Sequence, residues 1–245
     1  MIKIEHVSKT FNKDNIVIDD VNLTLEEGKI IGFIGLNGAG KTTLIKMMTG
    51  ILKPDTGKII INGKDIVKDA VETKQMIGYM ADSPDMFLRL TGIEYIHLIS
   101  DIYKVPKDIR KKRIKELSKK FHLEEVLDKP MQGYSHGTRQ KMMVMGALVH
   151  NPKVWILDEP LIGLDPQSSI LLKEMMREHA DKNNIVFFST HVLEIAEKLC
   201  DKIAIINKGK IMYYGTLDDL RKEYKKEDLE QLFMEVIQEW YSILI

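Results

Sequence analysis

The chain has little of what several specialised protein classes require. It holds one cysteine, Cys200, in 245 residues. That excludes an intrachain disulfide and fits a reducing compartment. Cys200 ends an apolar stretch, Leu193–Cys200, and reads as a small buried hydrophobe rather than a reactive thiol. No apolar run approaches the ~18 residues that a bilayer span needs, so any membrane role is expected to pass through a partner. The first ten residues lack the apolar core of a secretory signal. Lys+Arg and Asp+Glu number 36 each, and the missing basic surplus argues against a dedicated nucleic-acid binder. There is no internal repeat and no low-complexity tract. What remains, 44% hydrophobic and 29% charged, is an ordinary globular balance. The length suits one large domain or one domain carrying an insert.

Hydrophobic periodicity divides the chain in three. Residues 2–25 read as two alternating strands, with Ile2, Ile4 and His6 on one face of the first and Val21, Leu23 and Leu25 on one face of the second. Lys29–Ile34 is a short continuous apolar run, the pattern of a buried parallel strand. A helix is predicted over Lys41–Ile51 and strands over Lys58–Ile61 and Met76–Met80. Residues 83–150 change character: Thr91–Tyr103, Lys107–Phe121 and Gly137–Val149 have helical spacing with no strand between them. The alternation of strand and helix resumes at Val154–Leu157 and runs to Lys210–Tyr214. This predicts an α/β core from 1–82 and 151–215, built on a mostly parallel sheet, with a helical subdomain inserted at 83–150 and a helical tail at 216–245. In the tail, Leu229, Leu232, Phe233, Val236, Ile237, Trp240 and Tyr241 share one face, which most simply packs on the chain's own core.

Gly35-Leu36-Asn37-Gly38-Ala39-Gly40-Lys41-Thr42 matches G-x-x-x-x-G-K-[ST] between a predicted strand and a predicted helix. Glycines let the backbone curl until its N–H groups converge on a phosphate, and the helix presents its positive end to the same anion. Lys41 is then expected to reach the β/γ-phosphates and Thr42 to ligate Mg²⁺. A chance match in a chain of this length is about one in a hundred. Val154–Leu157 ends in Asp158 and Glu159, and strand alternation is expected to send the two acids in different directions, one to the metal and one to a water. His191 follows another predicted strand, at the end where ligands of parallel sheets sit. Ser135 is a plausible N-cap for the helix that opens at His136-Gly137, a second candidate anion site.

In their order, these motifs resemble the ABC ATPase family over nearly the whole chain. The resemblance makes Gly35–Thr43 a Walker A loop, Asp158 and Glu159 the end of a Walker B strand, Gly163-Leu164-Asp165 a D-loop and His191 a switch histidine. Tyr134–Gln140 falls where the family carries its signature, and Phe11 where it carries an aromatic that stacks on adenine. The fold implied is a P-loop NTPase with an antiparallel β subdomain and the helical insert. The mechanism implied uses ATP and Mg²⁺ and two nucleotide-binding chains, identical or different, facing head to tail. Ser135, His136 and Gly137 would then touch the γ-phosphate held by Gly35, Asn37, Gly38, Ala39, Gly40, Lys41, Thr42 and Thr43 of the partner. Glu159 would be the general base, His191 would hold the γ-phosphate and attacking water, and Asp165 would link the two sites. Asp158, Thr42 and Asp82 are the expected metal contacts. Separate transmembrane permease subunits would hold the chain at the cytoplasmic face of the membrane, with no nucleic-acid partner.

Two positions depart from the family pattern. Asp82 stands where a glutamine is usual, shorter and without an amide donor. His136 and Thr138 replace a glycine and a glutamine of the signature, a variant similar to those of export-type systems whose cassette and membrane chains are separate polypeptides. Two alternatives stay open: a soluble ABC-type ATPase acting on ribosomes or DNA, and a regulatory cassette that binds ATP but hydrolyses it poorly. The single cassette, zero net charge and lone cysteine weigh against the first. Glu159 and His191 weigh against the second.

Overall fold

The computed structural model describes residues 1–12, 15–82 and 87–243. The chain opens with β1 (Ile2–Thr10), β2 (Ile16–Leu25) and β3 (Lys29–Ile34), then α1 (Lys41–Met48). β4 (Thr56–Ile61), β5 (Lys64–Asp65), α2 (Ala70–Gln75) and β6 (Ile77–Met80) follow. α3 (Gly92–Ile102), α4 (Lys107–Phe121) and α5 (His136–Leu148) lie between β6 and β7 (Val154–Leu157). The remainder alternates: α6 (Pro166–Asp181), β8 (Ile185–Thr190), α7 (Leu193–Leu199), β9 (Lys202–Asn207), β10 (Lys210–Gly215), α8 (Leu217–Tyr224) and α9 (Leu229–Ile243). Two sheets result. One is antiparallel, ordered β2-β1-β4-β5, and the other has six strands, ordered β10-β9-β3-β8-β7-β6, parallel except for β10.

The continuous apolar runs are explained by burial on both faces of the parallel sheet. With a side-chain period of two, Ile31 and Phe33 of β3, Ile156 of β7 and Phe187 of β8 point into one core. That core is shared with α1 (Leu44, Ile45, Met48) and with the antiparallel sheet (Ile2, Ile4, Ile59). The alternate residues Ile30, Trp155, Leu157 and Phe188 point to the other side, against Met142 and Met145 of α5 and Leu172 and Met176 of α6. α1 is thus held between two sheets, and its first residue sits at the carboxyl edge of the larger one.

Several boundaries move for local reasons. β1 does not keep Ile2, Ile4 and His6 on one buried face. A bulge after Ile4 puts His6 at φ 52° with its side chain in solvent and Val7 in the core instead. α1 ends at Met48, short of the predicted Ile51, because Gly50 adopts φ 67° and the N–H of Ile51 turns back to the carbonyl of Lys46. Three short elements were not evident from periodicity, β5, α2 and a 3₁₀ turn at Met131–Gly133, while α8 falls within the predicted helical tail. Cys200 is half-buried and packs on Gly32, whose missing Cβ would stand 2.6 Å from the sulfur; burial pushes its thiol pKa up. Among the described residues no helix is long and apolar enough to cross a membrane.

The tail packs on its own chain. Leu229, Leu232, Phe233, Val236 and Ile237 of α9 are all buried against Ile34, Ile203, Ile205 and Leu220. The side chains of Trp240 and Tyr241, assigned to the same face, lie outside the described residues. Each such apolar side chain contributes about 1.5–3 kcal/mol when fully buried. Truncation after Lys226 is therefore expected to lower the melting temperature by about 15 °C or more, read by differential scanning calorimetry. An unchanged Tm would mean that α9 contributes nothing to this core.

Two histidines, His179 buried and His150 partly buried, add a pH dependence. His150 stacks on Tyr103 with ring centroids 3.6 Å apart, and His179 meets the Trp155 ring edge-on. Burial lowers both pKa values from 6.5 to about 4, with help from Arg113 at His150 and from Lys182 and Lys153 at His179. Between those values the unfolded chain binds protons that the folded chain does not, so stability rises with pH there. Their contribution is fully present above about pH 6.5 and is lost as the pH falls toward about 4. Urea titrations at pH 7, 6 and 5 are expected to show that decline, and His179→Leu to flatten it. An equal slope in the variant would remove His179 as a source.

Candidate active site

Three neighbouring strands deliver the site. β3, β8 and β7 are parallel and in register, with Ile34 opposite Thr190 and Leu157 opposite Phe188, so their carboxyl ends lie side by side. Beyond β3 the chain curls through Gly35–Gly40 into α1. Gly40, the N-cap, takes φ 108°, and an added Cβ would meet the Val17 carbonyl at 2.8 Å. Gly35 has no room either, since its Cβ would meet the carbonyl oxygen of Ile206 at 2.6 Å. A larger residue at either place would push the loop off the sheet, which is the physical reason for glycine there.

The loop opens onto a cleft of ≈ 250 Å³ lined by Asn37, Gly38, Gly40, Lys41, Thr42, Thr43, Asp82, Asp158 and Glu159, with Val17 at its wall. Gly35 and Ala39 are buried and do not line it. Lys41 is buried, and its ammonium donates to the carbonyls of Gly35 (2.7 Å) and Leu36 (3.3 Å) while standing 3.9 Å from Glu159 Oε1. Burial lowers its pKa, opposed by the charges of Glu159 and Asp158. A buried cation resting on backbone carbonyls at a helix N-terminus is an anion receptor in waiting.

The two acids do not part as strand alternation suggested. β7 ends at Leu157 and Glu159 adopts φ 49°, an unusual conformation for a residue with a side chain, so both carboxylates line the same cleft. Ser189, one residue before the end of β8, holds this turn. Its hydroxyl donates to Asp158 Oδ1 and accepts from the Glu159 N–H at 2.9 Å. Sequence reasoning gave Ser189 no role; the signal available was a hydroxyl in an otherwise apolar buried strand. His191 Nδ1 lies 3.0 Å from Glu159 Oε1. The second oxygens, Asp158 Oδ2 and Glu159 Oε2, are buried without a partner. Unpaired carboxylate oxygens beside the Thr42 hydroxyl fit a hard divalent cation and an activated water. Among the described residues no group of three or more His, Cys, Asp or Glu is arranged to hold a metal ion alone, so Mg²⁺ here would depend on Thr42, phosphate oxygens and water for the rest of its shell.

Other candidates lie elsewhere. Phe11 is exposed beneath Lys9, whose ammonium stands 5.7 Å from its ring centre, and it does not line the cleft. Ser135, His136 and Gly137 open α5, with Ser135 as its N-cap through the Thr138 N–H. They do not line the Lys41 cleft of their own chain. Asp165 caps α6 through the Ser168 hydroxyl and N–H (2.9 Å to the latter), and these bonds, with Lys141 at 3.6 Å, hold its pKa at about 2. Gln140, unremarked in the sequence, is buried and donates to the Pro160 carbonyl at 2.7 Å.

A phosphate loop, a buried lysine and two acids at the edge of a parallel sheet define a P-loop nucleoside-triphosphate hydrolase. The profile of the ABC transporter family matches residues 18–162. The chain is 35% identical over 238 residues to the ABC transporter ATP-binding protein NatA of Bacillus subtilis (strain 168), covering 96% of this chain and 97% of that one. It is 36% identical over 227 residues to the ABC-type transporter ATP-binding protein EcsA of the same organism, covering 92% of each. A solved structure of an ATP-binding subunit of an ABC transporter superposes with a TM-score of 0.92 at 31% identity, over 97% of this chain and 99% of that one. The chain belongs to the ABC transporter family, as an ATP-binding subunit of its ATP-hydrolysing cassettes.

Ser189→Ala is expected to leave Asp158 Oδ1 and the Glu159 N–H without their partner, costing about 1–3 kcal/mol of stability. Turnover should fall by about 10- to 100-fold, as for residues that orient a metal-binding acid, with ATP binding less affected. ATPase assays and nucleotide titrations check this; a wild-type kcat would show that the turn holds itself.

Proposed function

We propose that this cassette powers export of a substrate across a membrane, acting with a second cassette and separate permease chains. The observation that carries the mechanism is the convergence of Lys41, Glu159 and Asp158 on one cleft, with His191 against Glu159, while Ser135–Gly137 does not line it. A site assembled from two chains head to tail accounts for that separation. Lys41 would leave its loop carbonyls to meet the β/γ-phosphates. Thr42, Asp158 and Asp82 would hold Mg²⁺, which when bound neutralises phosphate charge. Glu159, with its backbone held by Ser189, would take a proton from the attacking water, and His191 would fix the Glu159 carboxylate and the γ-phosphate. Asp165 would carry the state of one site to the other. The helical segment 83–150 would bear on the permease, and this would hold the chain at the cytoplasmic face of the membrane. The lean to export rests on the signature variant His136 and Thr138.

Glu159→Gln tests the core of this reading. It is expected to bind ATP, to lose turnover by about 10²–10⁴-fold as for removal of a general base, and to accumulate an ATP-dependent dimer on size exclusion. Turnover at the wild-type rate would remove Glu159 as the base. Co-purification of the cassette with a multi-span membrane chain, and ATP-driven loss of substrate from cells, would support export; uptake instead would reverse the direction.

A further inference from the structure

His136 is the departure from the family pattern that the mechanism leaves unused, and its surroundings give it a task. Its ring rests on the loop that follows Glu159. An added Cβ at Gly163, which takes φ 78°, would stand 2.6 Å from His136 Cδ2 and 2.9 Å from Nε2. Two further contacts join the same turn of helix to the same loop. Gln140 Nε2 donates to the Pro160 carbonyl at 2.7 Å, and Lys141 Nζ stands 3.6 Å from Asp165. Gln140 lies one turn on from His136, at i+4 on the same face of α5, and Lys141 follows it around the helix. They meet successive points of the loop, from the residue after Glu159 to the cap of α6.

We propose that His136 is a positioning residue. Packed on Gly163, its ring latches the 160–165 loop to the start of α5 and so keeps the Glu159 turn of its own chain in shape for hydrolysis. This rests on the reading above, in which Glu159 is the base and the start of α5 faces the partner's nucleotide. The physical case is one of constraint. Glu159 sits at φ 49°, a conformation that persists only where its surroundings over-determine it. Ser189 restrains that turn from the β8 side; the latch restrains the continuing loop from the α5 side. Movement of α5 toward or away from a partner's phosphate would then be felt at the chain's own carboxylate, through packing and one buried hydrogen bond. Where a signature has glycine in place of His136, no side chain would reach the loop from this position.

The test is a double-mutant cycle. His136→Gly removes the ring. Gly163→Asn adds a Cβ while tolerating the left-handed backbone, and that Cβ displaces the ring, the far end of a flexible side chain, rather than the fold. Steady-state kcat and KM for ATP, the melting temperature, and ATP-dependent dimer formation in a Glu159→Gln background are measured for both singles and the double. Misplacement of a catalytic group by about 1 Å can cost up to about 10²-fold. Each single is therefore expected to lower kcat by about tenfold or more, with KM and Tm little changed, and the double to be no slower than the slower single. Losses that multiply in the double, or a loss carried in KM alone, would overturn the latch. Absence of the dimer in the Glu159→Gln single would instead count against the two-chain reading, and the cycle in kcat would still decide the latch.

Discussion

The hydrogen-bond register between β3, β8 and β7 is the constraint on which the rest of the site depends. Those ladders set Ile34 opposite Thr190, and Leu157 opposite Phe188, two residues earlier on β8. Asp158, the next residue along β7, therefore comes level with Ser189, whose hydroxyl reaches it, while Gly35 and His191 follow Ile34 and Thr190 side by side. A slip of one residue in any ladder would turn the apolar faces of that strand over, moving Phe187 or Ile156 from one core to the other. The two large cores on either side of the sheet make such a slip costly, so the same burial that stabilises the fold sets the distances at the site.

The site is also where local conformation runs against preference. Gly40 and Glu159 both have positive φ, and Asp158 and Glu159 each keep a buried oxygen unpaired. Such features are unfavourable alone and are sustained by the surrounding packing. Their clustering around a single cleft, opposite a buried ammonium, fits a surface prepared for a polyanion and its cation.

What was legible in the sequence follows from period and from special residues. The parallel strands, the three inserted helices and the phosphate loop stood out because long apolar periods and an eight-residue motif leave few alternatives. The amphipathic tail was legible too, and Leu232 and Phe233 bear out the simplest reading of it. β5 and α2 escaped because two to six residues carry too little period. The bulge at His6 escaped because alternation is blind to an extra residue. Ser189, Gln140 and the common direction of Asp158 and Glu159 escaped for another reason. Each depends on which strand or helix lies alongside, a long-range fact that no local pattern contains.

Lys41 gives the free cassette a particular thermodynamic character. Its ammonium is already doubly hydrogen-bonded, to the carbonyls of Gly35 and Leu36. In the proposed role of Lys41, nucleotide entry at this lysine would be an exchange of acceptors rather than the filling of a bare charge. Affinity at this point is the difference between phosphate and two backbone oxygens. The released carbonyls must find water or change the curl of the loop as the phosphate arrives. Under that role, release of nucleotide would be helped by the two carbonyls that take the lysine back.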